Sequence, residues 1–333
     1  MEREFLNPLV ALSEALAEAA ARGAAATVTV DARDRWPASG VGYAADLVLT
    51  ADHVIEREEI RVVLPDGRER TAVRIGRDPA TDLALLRVSE GSVPVLEIAE
   101  REPRVGQIVL ALGRPTSEGI QASLGVITAV GGPLRTPWGG WLERYLRTDA
   151  TMYPGFSGGP LINGEGRAVG INTSGLAGIP LSIPIRLAWR VAEALAREGQ
   201  VRRGYLGIRT QSVPLAPAQQ EALGRPQSHG LLIVGVEEGS PAAQAGLRPG
   251  DILTAFQGHP VQEVEDLQTR LFGDVVGRSV EVEVLRGEER RTLSLIIGER
   301  REAWEAERWP FRGGPWRGFR RRWMPPWGPS WSR

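Results

Sequence analysis

The sequence has 333 residues, a net charge of −1 at pH 7, 42% hydrophobic residues and no cysteine. A chain of this length suits two domains and can bury a sizeable core. Its balanced charge offers no general attraction to nucleic acid or to an anionic membrane surface, so neither is expected as a partner. Without cysteine, disulfides, thiol nucleophiles and cysteine-type zinc sites are excluded.

The first residues give an expectation about location. Residues 1–23 lack a basic segment followed by a continuous apolar stretch, because four glutamates interrupt them. A signal peptide is therefore not expected. The sequence has no run of about 18 apolar residues, so no transmembrane helix is predicted. Together these observations predict a cytoplasmic location.

The first two-thirds of the chain predict a β-rich domain. Apolar residues at helical spacing predict one helix over residues 5–21, within an amino-terminal extension of residues 1–26. From residue 27 onward, short β-branched and leucine-rich runs alternate with Gly, Pro and Asp-Gly turns, which is typical of an all-β barrel or sandwich. A helix over 184–198 ends this domain, which we place at residues 27–199.

The remainder predicts a smaller domain and a tail. Strands at 231–236, 279–285 and 291–297, with a helix near 263–272, predict a small α+β domain at residues 204–298. Residues 301–333 combine six tryptophans with Pro, Gly and Arg and show no periodicity. This composition predicts a disordered tail.

Three segments carry the parts of a serine-hydrolase site. A serine hydroxyl needs an adjacent imidazole to take its proton, and the imidazole needs a buried carboxylate to hold its tautomer. The chain order His, Asp, Ser is that of double-barrel chymotrypsin-like enzymes and differs from the order in subtilisin-like and α/β-hydrolase folds. The three residues are His53 in Thr-Ala-Asp-His-Val-Ile (50–55), Asp82 in Asp-Pro-Ala-Thr-Asp-Leu-Ala-Leu-Leu (78–86), and Ser157 in Pro-Gly-Phe-Ser-Gly-Gly-Pro-Leu (154–161).

Each of these residues also has a plain structural interpretation. A single histidine is usually structural, Asp82 could be a loop residue, and Ser157 could belong to a simple turn. Their coincidence in this order favours catalysis, because independent pieces must agree. The amides of Gly155 and Ser157 are predicted to form the oxyanion hole, which requires a backbone conformation that glycine adopts readily.

These motifs resemble those of the HtrA (Deg) family of serine proteases over about residues 27–298. The resemblance implies two six-stranded chymotrypsin-like barrels followed by a PDZ domain, and hence an all-β-dominated fold. It also implies ATP-independent endoproteolysis of unfolded or misfolded proteins, without a cofactor or a metal, by a homotrimer. Further matches are Thr-Asp-Ala at 148–150, Gly-Ile-Asn-Thr at 170–173 and Arg-Gly-Tyr-Leu-Gly-Ile at 203–208.

Two segments depart from the family pattern. Phe156 stands where the family usually has Asn, and residues 175–184 replace the usual Gly-Phe-Ala-Ile-Pro. The strands after the nucleophile build the S1 pocket in this fold, and here they offer no carboxylate, so an aliphatic P1 residue is expected. The residues predicted to flank S1 are Asn172, Thr173, Ser174, Leu181 and Ser182.

The second domain has PDZ features of its own. The run Gly-Ser-Pro-Ala-x-x-Ala-Gly-Leu-x-Pro-Gly-Asp at 239–251 is its most specific piece. A PDZ groove binds a peptide as an added strand while loop amides hold the terminal carboxylate. The same apolar residues could equally be ordinary core. The candidate carboxylate loop is Tyr205, Leu206, Gly207 and Ile208, and the candidate pocket is Ile208, Leu267 and Leu271.

Two functions from different classes follow. The first is an active endopeptidase that cleaves unfolded proteins and binds protein carboxyl termini through its PDZ domain. The second is a peptide-binding chaperone or adaptor whose protease domain is idle. The complete triad favours the first, while Phe156 leaves room for the second.

Overall fold

The structure is a computed structural model that describes residues 7–116, 119–136, 141–176, 180–272 and 275–299. The tail predicted at 301–333 lies outside the described residues, as do residues 1–6 of the predicted amino-terminal extension.

The first barrel is closed by six antiparallel strands in the order β1-β2-β3-β6-β5-β4. Its strands β3 and β6 are nearly continuous apolar runs because both of their faces are buried. In β3, Val48 points into the barrel core, whereas Leu49 packs toward the second barrel. In β6, Leu86 likewise points into the barrel core, and Leu85 packs toward the second barrel. The strands are β1 (Thr27–Asp31), β2 (Ala38–Ala44), β3 (Leu47–Ala51), β4 (Ile60–Val63), β5 (Glu69–Asp78) and β6 (Leu83–Val88).

The second barrel is also closed by six strands, in the order β11-β14-β13-β12-β7-β8. Val109 and Ala111 of β7 face its interior, and Leu110 and Leu112 face the first barrel. The strands are β7 (Ile108–Thr116), β8 (Gly119–Gly131), β11 (Tyr145–Thr148), β12 (Pro160–Asn163), β13 (Ala168–Thr173) and β14 (Leu181–Pro184), with the hairpin β9 (Leu134–Arg135) and β10 (Trp141–Leu142) between β8 and β11.

Two helices pack on the barrels. The helix predicted over 5–21 is α1 (Pro8–Ala25), capped by Asn7, whose side chain accepts from Leu9 N. It continues to Ala25 because alanine favours the helix. The side of α1 that carries Ala19 and Gly23 contacts the second barrel. Leu9 and Leu12 remain exposed, although they belong to the apolar residues whose spacing predicted the helix. The helix α2 (Ile185–Glu198) buries Leu187, Val191 and Leu195 in the core shared by both barrels and ends at Gly199.

The carboxy-terminal domain is a small α+β unit with its own core. Its main sheet has the order β16-β17-β18-β20-β21, so β16 is an edge strand. The helix α5 contacts β16, so the edge of the sheet formed by β16 lies next to α5. The elements are β15 (Gly204–Tyr205), β16 (Ile208–Pro214), α3 (Pro217–Leu223), β17 (His229–Val236), α4 (Pro241–Gln244), β18 (Ile252–Phe256), β19 (His259–Pro260), α5 (Val264–Arg270), β20 (Ser279–Arg286), β21 (Glu289–Ile296) and β22 (Gly298–Glu299).

The hydrophobic core is continuous across the two barrels, so packed side chains support both sides of the cleft between them. Burial of each leucine in it stabilises the fold by about 1.5–3 kcal/mol. The predicted catalytic segments lie at the ends of strands in both barrels. None of the helices in the described part of the chain combines the length and apolarity that a membrane crossing requires.

Candidate active site

His53 and Asp82 come together at the edge of the first barrel. His53 lies in a 3-10 turn, Asp52–Val54, that follows β3, and Asp82 lies in the turn between β5 and β6. Asp82 Oδ2 is 2.7 Å from His53 Nδ1, and Asp82 Oδ1 accepts the backbone N–H of His53 at 2.9 Å. One carboxylate therefore fixes both the ring and the backbone of the histidine.

Asp82 is almost fully buried, with 2% of its surface exposed, and has a third partner. The hydroxyl of Thr173 on β13 donates to Asp82 Oδ2, so the second barrel helps to hold a carboxylate of the first. Asp82 also has a left-handed backbone with φ of 55°. Such a conformation is uncommon outside glycine and often marks a functional site.

Gly175 lies directly against this pair, although no sequence motif singles it out. A β-carbon built on Gly175 would lie 2.5 Å from His53 Nδ1 and 2.6 Å from Asp82 Oδ2. The Gly175 amide donates to Thr173 Oγ1 at 3.0 Å. Glycine is therefore required here by close approach, and only its position after the Gly-Ile-Asn-Thr motif could have hinted at this.

Ser157 lies in the turn between β11 and β12, across the cleft from the first barrel. Its hydroxyl lies 3.1 Å from the Ser174 hydroxyl. Within the described ranges, Ser157 Oγ makes no hydrogen bond to His53. Catalytic hydrogen bonds are often long or misaligned in structures without substrate, so this arrangement is compatible with a nucleophile at rest.

The amides of Gly155 and Ser157 both lack an acceptor among the described residues. Gly155 has φ of 92°, a conformation that favours glycine. The two following glycines allow a close approach to neighbouring strands, because a β-carbon on Gly158 would lie 2.1 Å from Ser39 O and one on Gly159 would lie 2.2 Å from Leu112 O. The loop thus presents two free N–H groups, as an oxyanion hole requires.

Phe156 points away from these amides into the core of the second barrel. Its side chain is fully buried and packs edge to face with Tyr153, with ring centroids 5.5 Å apart. A β-carbon on Gly113 would lie 2.5 Å from the Phe156 ring, so that glycine makes room for it. The aromatic side chain therefore anchors the nucleophile loop without occupying the space in front of the amides.

The residues predicted to flank S1 fall into two groups. Ser174 is exposed beside Ser157, whereas the other four are buried. The Ser182 hydroxyl donates to Asn172 Oδ1 at 2.9 Å, and Asn172 Nδ2 donates to Pro160 O at 3.0 Å. Leu181 belongs to the core shared by the barrels. None of these five residues carries a carboxylate, and the Asp82 carboxylate that Thr173 contacts is already engaged by His53.

The predicted PDZ residues lie around one end of the domain core. Leu206 and Leu267 are buried members of that core, and Ile208 and Leu271 pack against it while remaining partly exposed. Gly207 has φ of 79°, and a β-carbon there would lie 2.1 Å from the Ser240 β-carbon. The Tyr205 hydroxyl donates to Glu237. Leu206 and Leu267 are therefore core residues of the domain, which fits both the core interpretation and the prediction of a groove.

Asp52, next to His53, is a buried carboxylate that the triad does not use. Arg77 Nη2 donates to Asp52 Oδ2 at 2.5 Å, while Asp52 Oδ1 is buried and has no hydrogen-bond partner. Burial raises the pKa of Asp52 above its ordinary value of 3.8, and the nearby charge of Arg77 opposes this rise. Ionisation of the Asp52 carboxyl group therefore destabilises the folded state.

No arrangement for a metal ion occurs within the part of the chain that the structure describes: no group of three or more His, Cys, Asp or Glu side chains is placed to hold one. Both oxygens of Asp82 are already engaged by hydrogen bonds. What the geometry offers is an oriented imidazole, a nearby hydroxyl and two free amides, the components of acyl transfer through serine.

Comparison with known proteins assigns both domains. The profile of the trypsin-like peptidase domain matches residues 38–171, and the profile of the PDZ domain matches residues 204–297. A Pseudomonas putida protein named as a DegP-like periplasmic serine endoprotease is 35% identical over 259 residues, covering 75% of this chain and 53% of that protein. The chain thus spans about half the length of the curated relatives of this kind.

The names of these relatives overturn the predicted location. Proteins from Pseudomonas putida and Halomonas elongata that match at 35% and 36% identity are named as periplasmic, so the cytoplasmic prediction is wrong. That prediction rested on the lack of a leader pattern in residues 1–23 and of an apolar run long enough to cross a membrane, and neither observation determines the compartment in which a protein works.

For other similar proteins, the match covers a larger share of the relative's own length. The protein HhoB of Synechocystis sp., a serine protease by name, is 34% identical, and the match covers 80% of this chain and 68% of that protein. The solved HtrA-type protease AlgW with tripeptide has a TM-score of 0.71 at 31% identity, covering 86% of this chain and 97% of that one. A serine endoprotease from Yersinia pestis has a TM-score of 0.63 at 32% identity, covering 86% and 98%. Fold, paired domains and sequence identity agree, and the chain belongs to the HtrA family of serine proteases.

Proposed function

We propose that the protein is a serine endopeptidase in which Ser157 is the nucleophile, His53 the general base and acid, and Asp82 the group that orients His53. The observation that carries this proposal is the Asp82 carboxylate, which accepts from His53 N and lies 2.7 Å from His53 Nδ1. That contact leaves the other ring nitrogen to take the serine proton.

The free amides of Gly155 and Ser157 supply the oxyanion hole in this proposal. In the reaction, Ser157 Oγ attacks the scissile carbonyl and its proton passes to His53, while the carbonyl oxygen receives both N–H groups. His53 then protonates the departing amine, and water completes hydrolysis of the acyl-enzyme by the same steps. Loss of one such N–H donor typically costs about 2.7–4 kcal/mol of transition-state stabilisation.

Unfolded polypeptides are the proposed substrates, with protein carboxyl termini bound at the PDZ groove. The AlgW structures similar to this chain are described with a tripeptide and a decapeptide, which supports a peptide ligand. We retain the proposed domain limits of 27–199 and 204–298 and the proposed homotrimer. The names of the relatives favour a periplasmic setting for this activity.

The alternative of an idle chaperone or adaptor is not favoured. Its only support in the sequence was Phe156, and that side chain packs inside the second barrel rather than over the amides. The names of similar proteins are those of proteases.

Cleavage of casein, an unfolded substrate, tests the proposal. Ser157→Ala is expected to abolish cleavage while circular dichroism and melting temperature stay close to those of the wild type. Loss of a triad member normally lowers kcat by several orders of magnitude. Activity of Ser157→Ala within about tenfold of the wild type would contradict the assignment.

A further inference from the structure

Ser39, on β2 of the first barrel, is fully buried and uses its backbone and its hydroxyl to hold the nucleophile loop of the second barrel. Its hydroxyl donates to Gly155 O at 2.7 Å and accepts from Arg114 N at 2.8 Å. Its backbone N–H donates to Ser157 O at 3.1 Å, and its carbonyl accepts from Thr50 Oγ1 at 2.7 Å. No catalytic motif of the sequence includes this residue.

The two bonds from Ser39 hold the carbonyls of the two residues whose amides are free. One holds the carbonyl of Gly155 and the other holds the carbonyl of Ser157. Between them, Phe156 N donates to Tyr153 O at 3.0 Å. The Gly155 carbonyl and the Phe156 N–H belong to one rigid peptide plane, so that plane is fixed at both of its polar atoms.

Gly155 needs an external anchor of this kind. Its φ of 92° lies in a region that glycine enters freely, but glycine also populates other regions at little cost. The residue therefore does not restrain its own conformation, and the direction of its N–H depends on what holds the neighbouring peptide. A buried hydroxyl at 2.7 Å from the Gly155 carbonyl provides that restraint.

We propose that Ser39 is a positioning residue for the oxyanion hole, acting through the carbonyl of Gly155 from the opposite barrel. This inference rests on the proposed function, because it concerns the amides assigned to the tetrahedral intermediate. Ser39 neither touches substrate nor transfers a proton. It keeps the Gly155 and Ser157 amides directed at one point before substrate arrives, and such preorganisation favours the transition state over the ground state.

Steady-state kinetics of Ser39→Ala with a chromogenic peptide provide the test. We expect kcat to fall by about tenfold to a hundredfold while KM changes by less than about threefold, because the lost interaction serves the transition state. A peptide aldehyde should lose affinity by a similar factor, since its hemiacetal oxygen occupies the oxyanion hole. Circular dichroism at the assay temperature verifies that the variant is folded. Ser39→Cys, which retains a weaker hydrogen-bond donor, should also lower kcat and aldehyde affinity. It replaces Ser39→Ala as the test variant if the alanine variant does not fold.

Thr29→Val is the matched control. Thr29 is also buried, and its hydroxyl donates to Arg114 O at 2.6 Å, so it contacts the same neighbouring strand but not the nucleophile loop. We expect its kcat and aldehyde affinity to stay within about twofold of the wild type. The proposal is overturned if folded Ser39 variants keep wild-type kcat and aldehyde affinity, or if Thr29→Val loses both equally. A wild-type protein that fails to cleave peptides would instead refute the proposed function.

Discussion

Arg203 forms a bidentate ion pair with Asp78, joining the start of the PDZ domain to the loop that carries Asp82. Arg203 Nη1 and Nη2 donate to the two oxygens of Asp78 at 2.8 and 2.7 Å, and Thr81 Oγ1 donates to Asp78 at 2.6 Å. Asp78 is 4% exposed, so the pair lies in a largely desolvated place. The geometry of the catalytic loop therefore depends on a residue beside the second domain.

Replacing Arg203 with methionine should leave the buried Asp78 carboxylate undercompensated. Loss of one partner of a buried pair costs about 3–5 kcal/mol, so we expect a clear fall in the urea midpoint and weaker cleavage. The double variant Arg203→Met/Asp78→Leu should recover part of the lost stability, because it removes the stranded charge. Equal stability of the wild type and Arg203→Met would show that the pair does not stabilise the fold.

Gly175→Ala should inactivate the enzyme while leaving most of the fold intact. The new methyl group would lie within 2.6 Å of both His53 and Asp82, so one of them must move. We expect kcat to fall by about a hundredfold or more, since displacement of about 1 Å can cost that much. Gly164→Ala is the control, because a β-carbon there meets nothing within 4 Å. Activity of Gly175→Ala close to that of the control would contradict the described packing of the triad.

The sequence pattern was sufficient to predict a β-rich domain, a small α+β domain and the three catalytic candidates, whereas the two six-stranded barrels were implied by the resemblance to the HtrA family. Strand alternation and turn residues are local signals, and the triad motifs are short. It was not sufficient for Gly175 or Ser39, because their roles depend on approaches between distant segments. Ser39 and Gly155, for example, are 116 residues apart in the chain. The exposed Leu9 and Leu12 of α1 show the converse, since helical spacing alone did not reveal which face would be covered.

Asp52→Asn should stabilise the protein increasingly as pH rises. Because burial raises the pKa of Asp52, the folded state holds this proton more tightly than the unfolded state does. Stability is therefore lost as pH rises from the ordinary value of 3.8 through the raised value, and asparagine avoids that loss. Urea unfolding between about pH 4 and pH 7 should show a growing difference in the variant's favour.

Arg77→Met provides the opposite change at the same site. It removes the cation that opposes the rise in the pKa of Asp52, so its stability should decline more steeply with pH than that of the wild type. If the stability difference between Asp52→Asn and the wild type is independent of pH, Asp52 does not titrate as described.

Cleavage is expected after aliphatic residues, with broad tolerance elsewhere. None of the five residues predicted to flank S1 offers a carboxylate to pair with a basic side chain, and an unpaired buried charge is costly. An additional methylene in an apolar pocket contributes only about 1–3 kcal/mol of discrimination. Mass spectrometry of casein fragments can identify the P1 residues, and a dominant cut after Arg or Lys would refute this expectation.

Labelling with a fluorophosphonate probe, followed by peptide mapping, shows directly whether Ser157 is an activated nucleophile. Only a serine activated by a neighbouring base reacts readily with such a probe. We expect a single modified residue, Ser157, and loss of labelling in a folded His53→Ala variant. An unlabelled wild-type protein, or a label on another serine, would contradict it.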